Sequence, residues 1–133
     1  MKKIIASGKR KTSIAKATIK EGTGNIIINN QDFKNLQFFD KLKIEEPLKI
    51  AEGIIHNLNF DVFIEVRGGG EKSQIDASRL ALAKAIIEFS KSKELEKAFL
   101  NYDRTLLVAD IRKKEACKPG DSKARKKRQT SYR

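Results

Sequence analysis

The chain has 133 residues, with 29 Lys and Arg against 17 Asp and Glu, for a net charge of +12 at pH 7. That length holds one folded domain, and no stretch approaches the roughly 20 apolar residues of a membrane span. The charge is segregated: residues 1–20 are net +7, residues 112–133 are net +8, and the 91 residues between them are net −3. A mildly acidic body with two basic extremities aims its cations at a polyanion, and nucleic acid is the simplest one.

The start, MKKIIASGKRK, offers only Ile4-Ile5-Ala6 before cations resume at Lys9. That is too short for the core of a secretory signal, so a soluble, cytoplasmic chain without membrane contact is expected. Residues 12–20, TSIAKATIK, predict a strand with Ser13, Ala15, Ala17 and Ile19 on one face and Ile14, Lys16, Thr18 and Lys20 on the other. Residues 25–29 predict a second strand, and Gly22-Thr23-Gly24 predicts a hairpin turn between the two. Residues 31–36 read as a short helix or turn. The segment 40–53 reads as a helix, with Pro47 near its start and Gly53 near its end.

Residues 60–67 alternate most cleanly, with Phe60, Val62, Ile64 and Val66 on the apolar face. Gly68-Gly69-Gly70 ends that strand. Ser73, followed three residues on by Asp76, predicts the capped start of a long helix with Ile75, Leu82, Ile86 and Phe89 on its buried stripe. A further helix is expected at about 93–102, and TLLVA at 105–109 reads as a final strand. The pattern is β-β-α-β-α-α-β plus a tail: an α+β fold, one sheet with helices on one face.

Four features bear on function. The lone cysteine, Cys117, excludes an internal disulfide, fits a reducing compartment, and has no His or Cys spaced for a metal. The lone histidine, His56, has no acid or thiol partner nearby in sequence. The run G-G-G-E-K-S lies between a strand and a helix. It fails the dinucleotide pattern at Ser73 and lacks the nucleotide P-loop spacing. Yet a glycine loop at a helix N-terminus holds phosphate on any scaffold. Lys9-Arg10-Lys11-Thr12-Ser13 places three cations and two hydroxyls at a strand entrance; phosphate contact and a lysine-protected edge are both open readings.

The tail beyond Arg112 has almost no apolar content, with Ala116, Cys117, Ala124 and Tyr132 as its exceptions. It cannot bury enough surface to offset its ordering entropy. Stretched, about 21 residues reach roughly 70 Å. Such an arm can thread between nucleic-acid segments that a globular surface cannot enter. A targeting signal and a solubility tail are the bland alternatives. A sequence-reading regulator would want a helix of base-contacting side chains, which is not visible. A phosphotransfer enzyme would want a carboxylate base and Mg²⁺ ligands near the glycine loop, where Glu71 and Asp76 stand.

The motifs G-K-R-K-T-S-I-A-K-A, E-P-L at 46–48, V-R-G-G-G, Y-D-R-T-L-L-V-A-D at 102–110 and K-A-R-K-K-R-Q-T-S-Y-R run in order along the whole chain. Together they resemble the family of small-subunit ribosomal protein number nine, in its archaeal and eukaryotic branch. The resemblance implies a mixed sheet with a left-handed βαβ crossover, and no enzymatic activity or cofactor. It implies binding to small-subunit ribosomal RNA in the subunit head, beside neighbouring head proteins. It further implies a tail that reaches peptidyl-site tRNA through Tyr132 and Arg133. Residues 1–111 are expected to form the RNA-binding domain and 112–133 the extended tail. Candidate RNA contacts are Lys9, Arg10, Lys11 and Thr12 in the N-terminal motif, and Arg67, Gly68, Gly69, Gly70, Lys72 and Gln74 around the glycine loop. In the tail they are Arg112, Lys113, Lys118, Lys123, Arg125, Lys126, Lys127 and Arg128. The family pattern has glycine where this chain has Ser73, and no acid at the position of Asp121.

Overall fold

The computed structural model of the chain describes residues 3–117 together with 119, 123, 124 and 132. Strands β1 (Ile4–Arg10) and β2 (Ser13–Glu21) form an antiparallel hairpin in which Ile4 pairs with Ile19 and Arg10 with Ser13. The turn between them is Lys11-Thr12, with Lys11 at φ 53°. β5 (Phe60–Arg67) pairs antiparallel with β2, and β3 (Ile26–Ile28) lies parallel to β5 on its other side. β4 (Gln31–Asp32) closes that edge, giving one mixed sheet in the order β1-β2-β5-β3-β4. The parallel strands β3 and β5 are joined through α1 (Phe38–Ile55), which makes the βαβ unit.

Strand alternation decides which face is covered. Ser13, Ala15, Ala17 and Ile19 of β2 are buried, as are Phe60, Val62, Ile64 and Val66 of β5. These are the faces the sequence predicts. α2 (Glu71–Ser90) lies across β1, β2 and β5; α1 packs on α2, and α3 (Lys93–Tyr102) packs on α1. Ile44, Leu82, Ile86, Leu95, Phe99 and Leu106 are fully enclosed between these layers. Each such side chain contributes about 1.5–3 kcal/mol by leaving water. No helix among the described residues is long and apolar enough to cross a membrane.

Gly8 lets α2 approach the sheet. A Cβ at this position would stand 2.7 Å from the Ala81 amide nitrogen and would strike the Ala77 carbonyl oxygen. Ala6 and Gly8 on the strand meet a helix face that is itself small at Ala77 and Ala81, so backbone packs on backbone.

Several elements differ from the sequence reading. β1 is absent from the predicted set because its inward residues, Ala6 and Gly8, are too small to register as an apolar alternation. Gly22-Thr23-Gly24 is not a hairpin turn, because β5 inserts between β2 and β3. The segment instead wraps a carboxylate: the N–H groups of Thr23, Gly24 and Asn25 donate to Asp61 Oδ1 at 2.9, 3.1 and 2.9 Å. These bonds, that from Asn25 foremost, hold the Asp61 carboxyl below its ordinary range. The tight hairpin lies one strand later, at Asn29-Asn30, whose φ angles of 46° and 65° suit a two-residue turn.

α1 starts earlier and ends later than predicted, and Pro47 is inside it rather than at its first turn. α2 begins at Glu71 with Gly70 as its cap. Ser73 is its third residue, and its hydroxyl accepts from the Gly70 N–H at 3.1 Å. Asp76 caps nothing; it accepts from Lys43 Nζ at 2.9 Å. TLLVA is not a strand. Arg104–Leu106 is a 3-10 turn capped by Asp103, which accepts from the Thr105 N–H at 2.8 Å. A short apolar run fits a strand or a buried turn equally well on periodicity, and here Leu106 is buried with Leu107 packed partly against the core.

The packing at Gly8 yields a prediction. Gly8→Ala should lower unfolding free energy by about 1–3 kcal/mol through overpacking, whereas Ser7→Ala on the open face should change it by no more than about 0.5 kcal/mol. Urea denaturation of both variants measures this; equal stabilities would mean that α2 is free to move outward.

Candidate nucleic-acid interface

The β1–β2 turn, the glycine loop and the start of α2 are tied by two buried hydroxyls. Ser13 Oγ donates to the Gly68 carbonyl at 2.9 Å, Ser73 Oγ donates to the Gly70 carbonyl at 2.8 Å, and the two Oγ atoms lie 2.8 Å apart. Each hydroxyl has one proton, so the pair shares its two protons among three acceptor positions. Gly68 and Gly69 hold φ of 76° and 69°, where a side chain is strained. At Gly69 a Cβ would also collide with Ser13 Oγ. The departure at Ser73 therefore serves as a tie between helix and hairpin.

This joint presents cations. Lys11 and Thr12 at the hairpin tip share an open recess with the Gly70–Ser73 start of α2. The first-turn amides and the helix dipole make such a place favourable to an anion. On the adjoining side, Lys9, Lys11, Thr12 and Ile14 share a groove with Lys113 and Lys114. Lys9 and Lys11 of the first basic segment and Lys113 and Lys114 at the start of the second thus meet at one corner of the fold.

An ion pair fixes the root of the tail there. Arg10 Nη1 stands 2.8 Å from Asp110 Oδ2, and Arg10 Nε stands 3.9 Å from Asp76 Oδ2. Arg112 closes on the same carboxylate, Nη2 to Oδ2 at 2.6 Å and backbone N–H to Oδ1 at 2.9 Å. The Arg112 side-chain bonds, then its backbone N–H, and also the Arg10 charge, hold the Asp110 carboxyl far below the usual carboxylate range.

The predicted contacts stand in different surroundings. Lys9, Lys11, Thr12 and Lys113 are exposed around the corner, and Arg67 is exposed at the end of β5 opposite Ile14. Arg10, Lys72 and Gln74 have partners within the protein, Lys72 with 60% of its side chain still exposed. Lys72 Nζ donates to both oxygens of the buried Asp40 at 2.9 and 2.8 Å, and Gln74 Nε2 donates to the Gly68 carbonyl at 3.1 Å. Gly68, Gly69 and Gly70 shape the loop, and Arg112 divides between Asp110 and solvent. Lys123 and Tyr132 are exposed. Lys118, Arg125, Lys126, Lys127, Arg128 and Arg133 lie outside the described residues. Sequence reasoning missed Lys114, for which its adjacency to Lys113 was the available signal, and Asp110, whose role depends on a partner a hundred residues away.

Fold and corner together define a class: an α+β scaffold with its cations mounted on a hairpin tip and on the segment that follows Asp110. Residues 8–133 match the model of the family described as ribosomal protein S9/S16, and the chain belongs to that family. It is 48% identical over 136 residues to a protein of Methanococcus maripaludis (strain C7) named small ribosomal subunit protein uS9, with all of both chains covered. The protein of that name from Thermoplasma volcanium is 46% identical, with 98% of each chain covered. The one from Desulfurococcus amylolyticus is 42% identical, covering 100% of this chain and 94% of its own length. The family is one of structural ribosomal proteins, not of enzymes.

The tail-root ion pair predicts a pH signature. Asp110 has a depressed folded-state pKa, so its stabilisation is present above the ordinary value of 3.8 and is lost as pH falls below it. Asp110→Asn should therefore lower the Tm at neutral pH, and the gap to the wild type should close as pH falls below 3.8. A gap that stays constant into that range would show that the carboxylate charge contributes nothing.

Proposed function

We propose that this chain is a structural protein of the small ribosomal subunit that binds ribosomal RNA through the basic corner and extends its C-terminal arm toward peptidyl-site tRNA. Residues 1–111 act as the RNA-binding domain and 112–133 as the arm. The observation that carries the reading is the convergence of Lys9, Lys11, Lys113 and Lys114 on one groove beside the start of α2. Cations from both ends of a chain meet this way when one polyanion is to be gripped and the arm is to leave along it. The curated relatives are named for the small subunit, which supports the same placement. Its partners are small-subunit ribosomal RNA, the neighbouring proteins of the subunit head and peptidyl-site tRNA, in the cytoplasm, with no cofactor.

Within this reading the cations divide their tasks. Lysines at the corner neutralise phosphates and anchor the protein. Arg112, Lys113, Lys118, Lys123, Arg125, Lys126, Lys127 and Arg128 follow RNA along the arm. Tyr132 and Arg133 offer a ring for stacking and a fork for phosphate at the far end.

Affinity for small-subunit ribosomal RNA should fall linearly with salt on a logarithmic plot, with a slope of about 0.9 per neutralised phosphate. Changing Lys9, Lys11, Lys113 and Lys114 to Glu should make that slope shallower by about 3 to 4. An unchanged slope would remove the corner from the RNA interface. Deleting Tyr132 and Arg133 should leave subunit assembly intact while weakening peptidyl-site tRNA binding by about 1–2 kcal/mol. Assembly failure with normal tRNA affinity would make the end of the arm an anchor instead.

A further inference from the structure

Helices cover one face of the sheet; the other face is open and is not simply polar. Strand register lays its side chains in rows. One row runs Ile5, Thr18, Phe63, Ile27 across four strands. Nearer the corner, Lys9, Ile14 and Arg67 form another. Ile5 is 56% exposed, Ile14 54% and Phe63 39%, so large apolar side chains stand in solvent on a rigid sheet. Isolated exposed apolar residues are ordinary, but a set aligned by register on one face marks an interaction surface.

Cations interleave with them. Lys16 lies between the two rows, and Lys20 Nζ stands 5.2 Å from the Phe63 ring centroid. Against Lys9, Lys16, Lys20 and Arg67 the face sets Asp32, which continues the first row beside Ile27, together with Asp61 and Glu65, and the Asp61 carboxylate is already wrapped by the amides of residues 23–25. Four cations against three acids leave the face net +1, with the excess toward the corner, where Lys9, Lys16 and Arg67 stand against Glu65.

We propose that this open sheet face is a second RNA-docking surface, taking unpaired nucleotides that continue from the basic corner. The proposal rests on the RNA reading of that corner. Ile14 supplies the continuity, because it lines the groove of Lys9, Lys11, Lys113 and Lys114 and also belongs to the sheet face. An aromatic ring on a strand, flanked by cations, is the arrangement that stacks a base and holds its phosphate. Phe63 is the stacking platform. Lys20, now over the ring, moves to the phosphate of the nucleotide that takes its place, and Lys16 pairs with the next. The cation excess at the corner end of the face, Lys9, Lys16 and Arg67 against Glu65, favours RNA over a protein partner, because it continues the basic groove that Ile14 lines.

The test uses the full-length chain with two probes: a single-stranded oligouridine of about twelve nucleotides and an RNA duplex of the same length. Phe63→Ala should weaken oligouridine binding roughly five- to hundredfold, the range for one lost stacking contact. Its salt slope should not change, because a ring neutralises no phosphate. Phe63→Tyr keeps the ring and should bind like the wild type, and duplex binding should be unaffected in both. Wild-type oligouridine affinity in Phe63→Ala, with binding lost in Lys9→Glu/Lys11→Glu, overturns the sheet surface and leaves the corner intact. Failure of the wild-type chain to bind either probe overturns both readings. Normal RNA affinity of Phe63→Ala with failed incorporation into the subunit assigns the face to a protein neighbour and also overturns the proposal.

Discussion

The contact of α2 with β1 at Gly8 sets the rest of the arrangement. Because no Cβ intervenes, the helix lies close enough to the strand for backbone to meet backbone at Ala77 and Ala81. That distance brings the start of α2 to the β1–β2 turn, where Ser13 and Ser73 join. It also brings Asp76 within 3.9 Å of Arg10, and with it the tail root that Arg10 holds through Asp110. A larger residue at position 8 would lift the helix, and the serine tie and the arginine clamp would both lengthen. A stability feature of the core thus fixes where the surface cations stand.

Those cations separate into two populations that composition cannot distinguish. Arg10 and Arg79 are largely enclosed and paired with acids, whereas Lys43 and Lys72 pair with Asp76 and Asp40 from side chains that stay 40% and 60% exposed. Arg79 alone bridges Glu46 of α1 and Asp103 at the end of α3. Pairs of this kind, partly shielded from solvent, are screened by salt less than exposed charges are. Lys9, Lys11, Lys113 and Lys114 remain exposed around the corner. Their mutual repulsion makes the corner electrostatically favourable to a polyanion.

The sequence made the body legible wherever side chains were large. The faces of β2 and β5 follow from Ile19, Val62 and Ile64, and the buried stripe of α2 from Ile75, Leu82 and Ile86. It was illegible where the chain packs by smallness, as at Ala6 and Gly8, or where β5 enters the sheet between two strands that are consecutive in sequence. The basic motifs were visible as motifs, but their use was not. Arg10 reads as a phosphate ligand because its fork can bind bidentate among neighbouring cations and hydroxyls, and the tertiary structure adds Asp110 as its partner. Lys72 looked like part of a phosphate loop, and it neutralises Asp40. Long-range ion pairs leave no local trace, so Asp110 and Asp40 as the partners of Arg10 and Lys72 are not legible in the sequence.

The central claim is that both basic ends act at one corner, and amide hydrogen exchange with and without small-subunit ribosomal RNA tests it most directly. The account predicts new protection at residues 8–14, 67–73 and 109–114, with the exposed faces of α1 and α3 unchanged. Protection confined to α1 and α3, with the hairpin tip and glycine loop exchanging as in the free protein, would contradict it.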